Sequence, residues 1–487
     1  MSDSPYSPRL RTALVLTGTG TAGAYHAGAL QALQEAAVKV DLVAGRGMGV
    51  AGALFAAVDG GAHLWGPRGL WRKANAPRFY RFKTALRLAA AVFGAGLVVL
   101  LSPLAVLGVA VLVYISGLFA ALAGLESAGA TVTAWFRGVL DLLFAPAALP
   151  AIVPRLVALA LVAALAVVMA GACVAALRGR SRRRTSGSVW WRLVGAPLTA
   201  QPAVAGLTRA LWHLIRGAAQ VAQPDRAEVG RRYAELLTEN LGQPGFRDVL
   251  VTTHDVDARR DLVFALLAEP HRTTFFGGGR AQAPESRAAE TCDLGGVARD
   301  HLLDVLAGAL SLPVATDSHL ITFPAESYWR GETHRLCDRP EALVRLLAEV
   351  AAAGAEQVVV VSDAPPPATP HALTSGRSDP RGRAGEYLRA AETAAVRDAV
   401  SASRHLFRGV FEIRPPHNSV GPFDFAGAYD EHSDRRPAVT ELVDRGYEDT
   451  YRQFIDPIVG ASGDRLAAGG GERAARDLHD TITRGSA

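Results

Sequence analysis

Cysteine is scarce in this chain of 487 residues, which contains only Cys173, Cys292 and Cys337. The three residues are widely spaced and include no C-x-x-C pair, so the sequence indicates neither a disulfide framework nor a zinc site. A reducing compartment suits such a chain, and we expect no metal ion and no cofactor. The first ten residues are polar, which argues against a cleavable secretory signal there.

The chain also lacks an excess of acidic over basic residues. The formal net charge is +5 at pH 7 and 49% of the residues are hydrophobic. The arginines that give this charge are clustered rather than spread, which favours a membrane face and not nucleic acid as the partner. The hydrophobic content excludes a disordered chain. The length leaves room for one large domain with membrane segments, or for two or three ordinary domains.

Two stretches lack charged residues altogether. Residues 88–125 would form a helix about 57 Å long, well beyond a hydrocarbon core of about 30 Å. They predict either one helix that overshoots a bilayer or two passes broken near Pro103. Residues 156–177 have the length of a single crossing. The sequence therefore predicts a transmembrane helical insert.

Basic residues flank these two stretches. They are Arg78, Arg81, Lys83 and Arg87 before the first, and Arg178, Arg180, Arg182, Arg183 and Arg184 after the second. Positive flanks stay in the cytoplasm, so we expect an integral membrane protein with both termini on that side and an even number of crossings. Two crossings are expected. Four result if residues 131–144 also cross with Arg137 paired to Asp141, unless that stretch lies at the interface as an amphipathic helix.

Near the start of the chain, an apolar run at residues 13–16 is typical of a buried strand. The glycine loop Gly18-Thr19-Gly20-Thr21-Ala22-Gly23 follows, and residues 24–37 have helical apolar spacing. A strand that enters a helix through glycines leaves backbone N–H groups at a helix N-terminus. Gly18, Thr19, Gly20 and Gly23 are therefore predicted to form a loop that binds an anion or an oxyanion.

A second strand, loop and helix come directly afterwards. Residues 41–44 suit a short strand, Gly45-Arg46-Gly47-Met48-Gly49 a sharp turn, and the small residues 50–58 a helix. This is the shape of a nucleophile elbow, in which glycines allow a strained turn from strand to helix.

Together these motifs resemble the patatin-like phospholipase family, acyl hydrolases that use a Ser–Asp dyad on an α/β fold. The similarity rests on the glycine loop, the helix AYHAGALQAL and the elbow, and it covers residues 13–64 and 247–361. It implies a mostly parallel sheet flanked by helices and interrupted by the transmembrane insert. The expected division of the chain is 1–82 and 201–414 for the two parts of the patatin-like domain, 83–178 for the insert, 179–200 for a basic cytoplasmic linker and 415–487 for a charged tail.

The sequence departs from the family at the catalytic positions. Gly47 stands where the elbow serine is expected, and Arg330 stands where the resemblance places the aspartate. A glycine has no nucleophile, and an arginine stays protonated and cannot act as a base. Asp59-Gly60-Gly61 resembles the aspartate turn but follows the elbow helix directly. We expect it to end that helix, with Gly60 or Gly61 in the left-handed conformation.

Three classes of function follow. The first is a non-catalytic protein that binds membrane lipid, a protein partner or a second copy. In it, Arg46 and Arg330 would make the cleft basic and suited to an anionic headgroup or fatty acid, unless Arg330 pairs with Glu326 or Glu332. The second is a lipid acyl hydrolase that uses Thr17, Thr19 or Thr21 with Asp338 or His334 as base. The third is a membrane protein whose helices carry transport or assembly.

A dinucleotide site is a further alternative. Gly18, Gly20 and Gly23 fit G-x-G-x-x-G, and Asp41 lies about twenty residues further on. The elbow at residues 45–49 argues against it, because a dinucleotide-binding fold does not need that turn.

Overall fold

A computed structural model describes residues 6–72, 79–144, 153–179, 195–277, 285–369, 376 and 379–458. The chain divides into two compact units, the first made of Met1–Arg81 with Thr199–Ala487 and the second of Phe82–Leu198. Most of the predicted basic linker, residues 180–194, lies outside the described residues, as do residues 459–487.

The first unit is built on a mixed sheet of nine strands within the described residues. Its strands are β1 (Thr12–Thr17), β2 (Leu42–Arg46), β5 (Asp248–Asp255), β6 (Arg260–Leu266), β7 (Thr291–Asp293), β8 (His319–Thr322), β9 (Thr333–Cys337), β10 (Gln357–Ser362) and β11 (Gly409–Ile413). The order is β11-β10-β1-β2-β5-β6-β7, and β9 pairs with both β5 and β8. Strands β3 (Arg81–Phe82) and β4 (Leu198–Thr199) form a separate pair.

The central strands β11, β10, β1, β2 and β5 run parallel to one another, and β6 runs antiparallel to β5. Strands β1, β2 and β10 are buried along their whole length, as their unbroken apolar runs require for a sheet covered on both faces. The predicted α/β fold with a mostly parallel sheet and flanking helices is thus confirmed.

Helices surround this sheet. In the first unit they are α1 (Ala22–Glu35), α2 (Gly49–Ala57), α3 (Ala62–Trp65), α7 (Gln201–Arg216), α8 (Arg226–Asn240), α9 (His271–Phe276), α10 (Glu285–Glu290), α11 (Leu302–Ala309), α12 (Ala342–Ala352), α13 (Pro380–Ser403) and α14 (Val439–Thr450). The core between sheet and helices includes Val15, Leu346, Val360 and Val400, each at most 3% exposed.

Helix α14 belongs to the region that the sequence suggests as a charged tail, but it packs tightly on α1. A Cβ atom on Gly28 of α1 would lie 1.8 Å from the carbonyl oxygen of Val443, and one on Gly446 would lie 2.2 Å from that of Tyr25. Only glycine allows the two backbones to approach this closely. Residues 439–450 are therefore part of the first unit rather than an appendage.

The turn after α2 corrects one expectation. The left-handed residue is Asp59, with φ of 51°, whereas Gly61 has φ of −54°. The Gly60 N–H donates to the carbonyl of Phe55 at 2.8 Å, which ends the helix. Aspartate tolerates the left-handed region better than most residues with a side chain, so no glycine is needed at that point.

The second unit consists of α4 (Thr84–Leu122), α5 (Glu126–Phe144) and α6 (Val153–Gly179). Helix α4 is continuous through Pro103, so the expected alternative of a break there is wrong. Arg137, which would pair with Asp141 if residues 131–144 crossed a membrane, donates to the Tyr114 hydroxyl at 3.2 Å. Within the described residues one segment, Leu104–Leu122, is long and apolar enough to cross a membrane by length and composition.

Candidate functional site

The glycine loop and the elbow lie side by side at the carboxyl edge of two neighbouring parallel strands. Strand β1 ends at Thr17 and β2 at Arg46, and the residues that follow, Gly18 and Gly47, have φ of 142° and 57°. The Met48 N–H donates to the Gly18 carbonyl at 2.8 Å and joins the two turns. The strand, turn and helix shape of both predicted motifs is present.

Gly47 occupies the apex of the elbow, and its surroundings are closed. A Cβ atom built on Gly47 would lie 2.5 Å from the Gly18 carbonyl oxygen and 2.9 Å from Oδ2 of Asp338. Both distances are below those that real Cβ atoms show, and the nearer atom belongs to the backbone. The elbow therefore lacks a nucleophile and also lacks the room for one.

Asp338, not Arg330, is the residue that the fold brings to the elbow. It directly follows β9, whose end pairs antiparallel with β5, and its N–H donates to the Ser311 carbonyl at 2.7 Å. Arg330 lies in the exposed turn between β8 and β9, with φ of 44°. Arg330, where the resemblance places the second catalytic residue, therefore lies in this exposed turn, and the carboxylate beside Gly47 comes from Asp338, eight positions later.

Arg46 is fully buried beneath the elbow and holds two carboxylates. Its Nη1 donates to Asp338 Oδ1 at 2.8 Å, its Nη2 forms an ion pair with Glu392, and its Nε donates to the Thr17 hydroxyl at 2.9 Å. Burial opposes the charge on Arg46, but the carboxylates of Asp338 and Glu392 outweigh it and raise the pKa of the guanidinium. A cleft made basic by Arg46 and Arg330 is thus contradicted.

Acidic groups predominate in this buried cluster. Besides Asp338 and Glu392, it includes Asp363, whose Oδ1 lies 2.9 Å from the position of a Cβ on Gly18. Burial raises the pKa of Asp338 to about 6 and that of Asp363 to about 7, although Arg46 acts in the opposite direction on both. The guanidiniums of Arg46 and Arg389 only partly offset the burial of three carboxylates, which makes protonation of one carboxyl favourable near neutral pH.

The three threonines considered as nucleophiles have different partners. The Thr19 hydroxyl donates to Asp338 Oδ2 at 3.2 Å, that of Thr17 to Glu392 at 2.6 Å, and that of Thr21 to the Gly421 carbonyl at 2.9 Å. His334, the other proposed base, is held by Asp255 at 2.5 Å and by Glu332 at 3.2 Å. Of these carboxylates, the one bonded to Thr19 is Asp338, whose Oδ2 lies 2.9 Å from the position of a Cβ on Gly47.

A segment near the carboxyl end of the described chain covers the glycine loop. We call residues 417–425 the cover segment. Its Pro422 carbonyl accepts the Thr21 N–H at 3.2 Å and lies 1.9 Å from the position of a Cβ on Gly20. The loop that we expected to bind an anion thus already binds a carbonyl of its own chain.

Arginines fix the cover segment by donating to its backbone carbonyls. Arg389 donates to Asn418 at 2.7 Å and also to Val420, and Arg445 donates to His417 at 2.8 Å. Two phenylalanines of the segment, Phe423 and Phe425, are buried against Tyr80. Sequence reasoning missed this segment, and the paired aromatic residues in Gly-Pro-Phe-Asp-Phe were the signal for its burial.

The position of Asp41 contradicts the dinucleotide alternative. Asp41 precedes β2, and its Oδ2 accepts the N–H of Thr12, the first residue of β1, at 2.8 Å. It therefore lies at the opposite edge of the sheet from the glycine loop and does not face a nucleotide bound there. Asp41 instead fixes the start of β1.

No family model matches the chain, and no curated protein matches it in sequence.

Proposed function

We propose that this chain is a non-hydrolytic, membrane-anchored protein with an α/β domain of the patatin-like type, and that it acts by binding. The observation that carries the proposal is the closed elbow, where Gly47 supplies no hydroxyl and the Gly18 carbonyl fills the space beside it. An elbow of this kind hydrolyses esters only when a side chain at its apex attacks the carbonyl carbon.

Two hydrogen-bond donors of the kind that would stabilise an oxyanion are also occupied. In an elbow, one donor is the N–H of the residue after the nucleophile, and the other comes from the neighbouring loop. Here the Met48 N–H donates to Gly18 and the Thr21 N–H donates to Pro422. A substrate would have to displace two carbonyl groups of the chain itself, so loss of the nucleophile and loss of the oxyanion site support the same proposal.

A lipid acyl hydrolase that uses Thr19 is the second candidate. It is favoured by the hydrogen bond from the Thr19 hydroxyl to Asp338 Oδ2, a base beside a hydroxyl. Against it, Thr19 is only 6% exposed, and the N–H groups of Met48 and Thr21 already donate to carbonyls of the chain. We therefore rank it below the binding function.

An ester hydrolysis assay separates the two candidates. Purified full-length protein is assayed with fluorogenic esters and with phospholipid vesicles, beside the variants Thr19→Val and Thr21→Val. We expect no turnover in any of the three. Thr21→Val is the matched control, because Thr21 lies on the same loop but contacts the Gly421 carbonyl and not Asp338. If the parent protein and Thr21→Val hydrolyse the esters and Thr19→Val does not, the hydrolase is established instead.

The membrane part of the proposal rests on the helical unit. We propose that α4 and α6 cross the bilayer, that α5 lies at the interface as an amphipathic helix, and that membrane lipids contact the exposed apolar side chains of α4. Leu104, Leu112 and Phe119 are each more than 60% exposed, which is unfavourable in water over so long a helix. Binding of a protein partner or of a second copy through the same helices stays a prediction.

Carbonate extraction and reporter fusions test this placement. We expect the protein to remain in the membrane pellet at alkaline pH, and we expect reporters at the two termini to report the cytoplasmic side. Release into the supernatant, or termini on opposite sides, would overturn the proposed anchoring without affecting the conclusions about the elbow.

A further inference from the structure

Val314 is the most exposed large hydrophobic residue of the first unit within the described chain, at 91%. Its backbone is strained as well, with φ of 66°. The left-handed region is unfavourable for any residue with a Cβ and especially for a β-branched one. At such a position, the apolar, β-branched side chain of Val314 contributes nothing to the hydrophobic core of the first unit.

The backbone around Val314 is closed by short hydrogen bonds. The Ala315 N–H donates to the Pro313 carbonyl at 2.7 Å, which makes Val314 the centre of a γ-turn of the rare positive-φ kind. The Leu312 N–H donates to the Thr316 hydroxyl at 2.8 Å, and the Thr316 N–H donates back to the Leu312 carbonyl at 3.0 Å. We call residues 312–316 the valine loop. Its hydrogen bonds hold the side chain of Val314 outward.

The valine loop lies at an identifiable place on the first unit. It follows Ser311, whose carbonyl accepts the N–H of Asp338 beside the elbow. Ser311 and residues 317–320 also line a cavity of about 300 Å³ together with Thr199, Ala200 and Val204. Thr199 is the residue at which the chain re-enters the first unit. The valine loop is therefore close to the connection with the proposed membrane helices.

We propose that the valine loop contacts the bilayer surface, with Val314 placed among the acyl chains near the headgroups. The inference rests on the proposed membrane anchoring. It assigns a partner, a lipid surface, to a residue that the first unit leaves uncovered, and it explains why a strained valine stands where glycine or asparagine would relieve the backbone. A loop held rigid by its own hydrogen bonds also loses little conformational entropy on contact.

Lipid quenching of a fluorophore tests the contact. Full-length protein in which exposed Cys173 is replaced by serine receives a single cysteine at position 314, 112 or 408, is labelled with bimane, and is reconstituted into phosphatidylcholine vesicles with or without brominated acyl chains. Position 112 lies on α4. Arg408 precedes β11, at the opposite edge of the parallel strands from the elbow, with its side chain 69% exposed. The same protein without an added cysteine corrects for residual labelling.

We expect brominated lipid to quench the fluorophore at 314 and 112 at least twofold, and to leave 408 unchanged. Quenching at 112 without quenching at 314 would overturn the valine-loop proposal and leave the anchoring intact. No quenching at either position would overturn both. Equal quenching at 314 and 408 would also overturn it, because the contact would then not belong to the loop.

A stability measurement tests the strain independently. If Val314 serves the membrane and not the fold, Val314→Gly and Val314→Asn in detergent should unfold at the same temperature as the parent or higher, since both residues tolerate positive φ. A clear fall in the unfolding temperature of both variants would assign Val314 a structural role and overturn the inference.

Discussion

Oδ2 of Asp338 lies 2.9 Å from the point where a Cβ atom of Gly47 would stand. The carboxylate that a serine at this position would need is therefore in place, although the serine is absent. The Gly18 carbonyl, 2.5 Å from the same point, is the group that excludes a side chain. The elbow thus lacks both a nucleophile and the space for a side chain at residue 47. Asp338 is instead part of a buried ion pair with Arg46.

Gly47→Ser should not create a hydrolase. The added Cβ overlaps the Gly18 carbonyl, and overpacking of a buried site costs about 1–3 kcal/mol. We expect a lower thermal unfolding temperature and no ester turnover. Gly242→Ser is the control, since Gly242 also has positive φ, at +90°, but a Cβ added there would meet no atom within 4 Å. Turnover by Gly47→Ser that Asp338→Asn then removes would show that the elbow is still competent.

Arg46→Met should destabilise the first unit strongly. The change leaves Asp338 and Glu392 buried without their cation, and breaking a buried ion pair in this way costs about 3–5 kcal/mol. Thermal unfolding measures the loss. Arg397→Met removes an arginine from an exposed pair with Asp398 on α13 and should leave the unfolding temperature unchanged. Equal effects of the two changes would contradict a central role for the buried cluster.

The Asp363→Asn variant should gain stability over the parent as pH rises from about 4 to about 7. Burial raises the pKa of Asp363 to about 7, so the folded state holds a proton that the unfolded state has lost. The stability associated with that proton is complete below the unfolded pKa of about 3.8 and disappears as pH passes the folded pKa.

Thermal unfolding of parent and variant at each pH gives this difference directly. Groups that do not interact with Asp363 cancel in the comparison, including buried His26, whose pKa burial lowers to about 4 and which therefore acts in the opposite sense. Asp398→Asn on the surface is the control. A difference between parent and Asp363→Asn that does not change with pH would show that Asp363 does not carry the proton.

Gly28→Ala should loosen the contact between α1 and α14. Its Cβ would lie 1.8 Å from the Val443 carbonyl oxygen, so the two helices must separate, at a cost of about 3 kcal/mol. We expect a lower unfolding temperature and faster proteolysis within residues 417–450. Gly230→Ala is the control, because its nearest neighbour is 3.5 Å away and alanine in a helix is favoured by up to about 1 kcal/mol. Unchanged proteolysis in Gly28→Ala would mean that the cover segment does not depend on this crossing.

The sequence alone determined whatever depends on neighbouring residues. Apolar runs indicated the buried strands, the glycines indicated the loop and the elbow, and charge-free runs indicated the long helices. The sequence also determined that residue 47 supplies no nucleophile, because glycine has no side chain in any fold. The alignment of motifs did not identify the acidic residue, since local similarity around residue 330 says nothing about which strand end approaches the elbow.

Tertiary structure decided the charge of the site and its access. Arg46 and Glu392 form an ion pair across 346 residues, and the cover segment reaches the glycine loop across 400, from Thr21 to Gly421. The sequence does not distinguish an arginine whose guanidinium is free from one whose guanidinium is buried and neutralised. The state of the arginine depends on the partners that the sheet order and the helix crossings bring to it. For this reason the sequence suggested a basic cleft, whereas in the folded chain carboxylates predominate there and the cover segment closes the glycine loop.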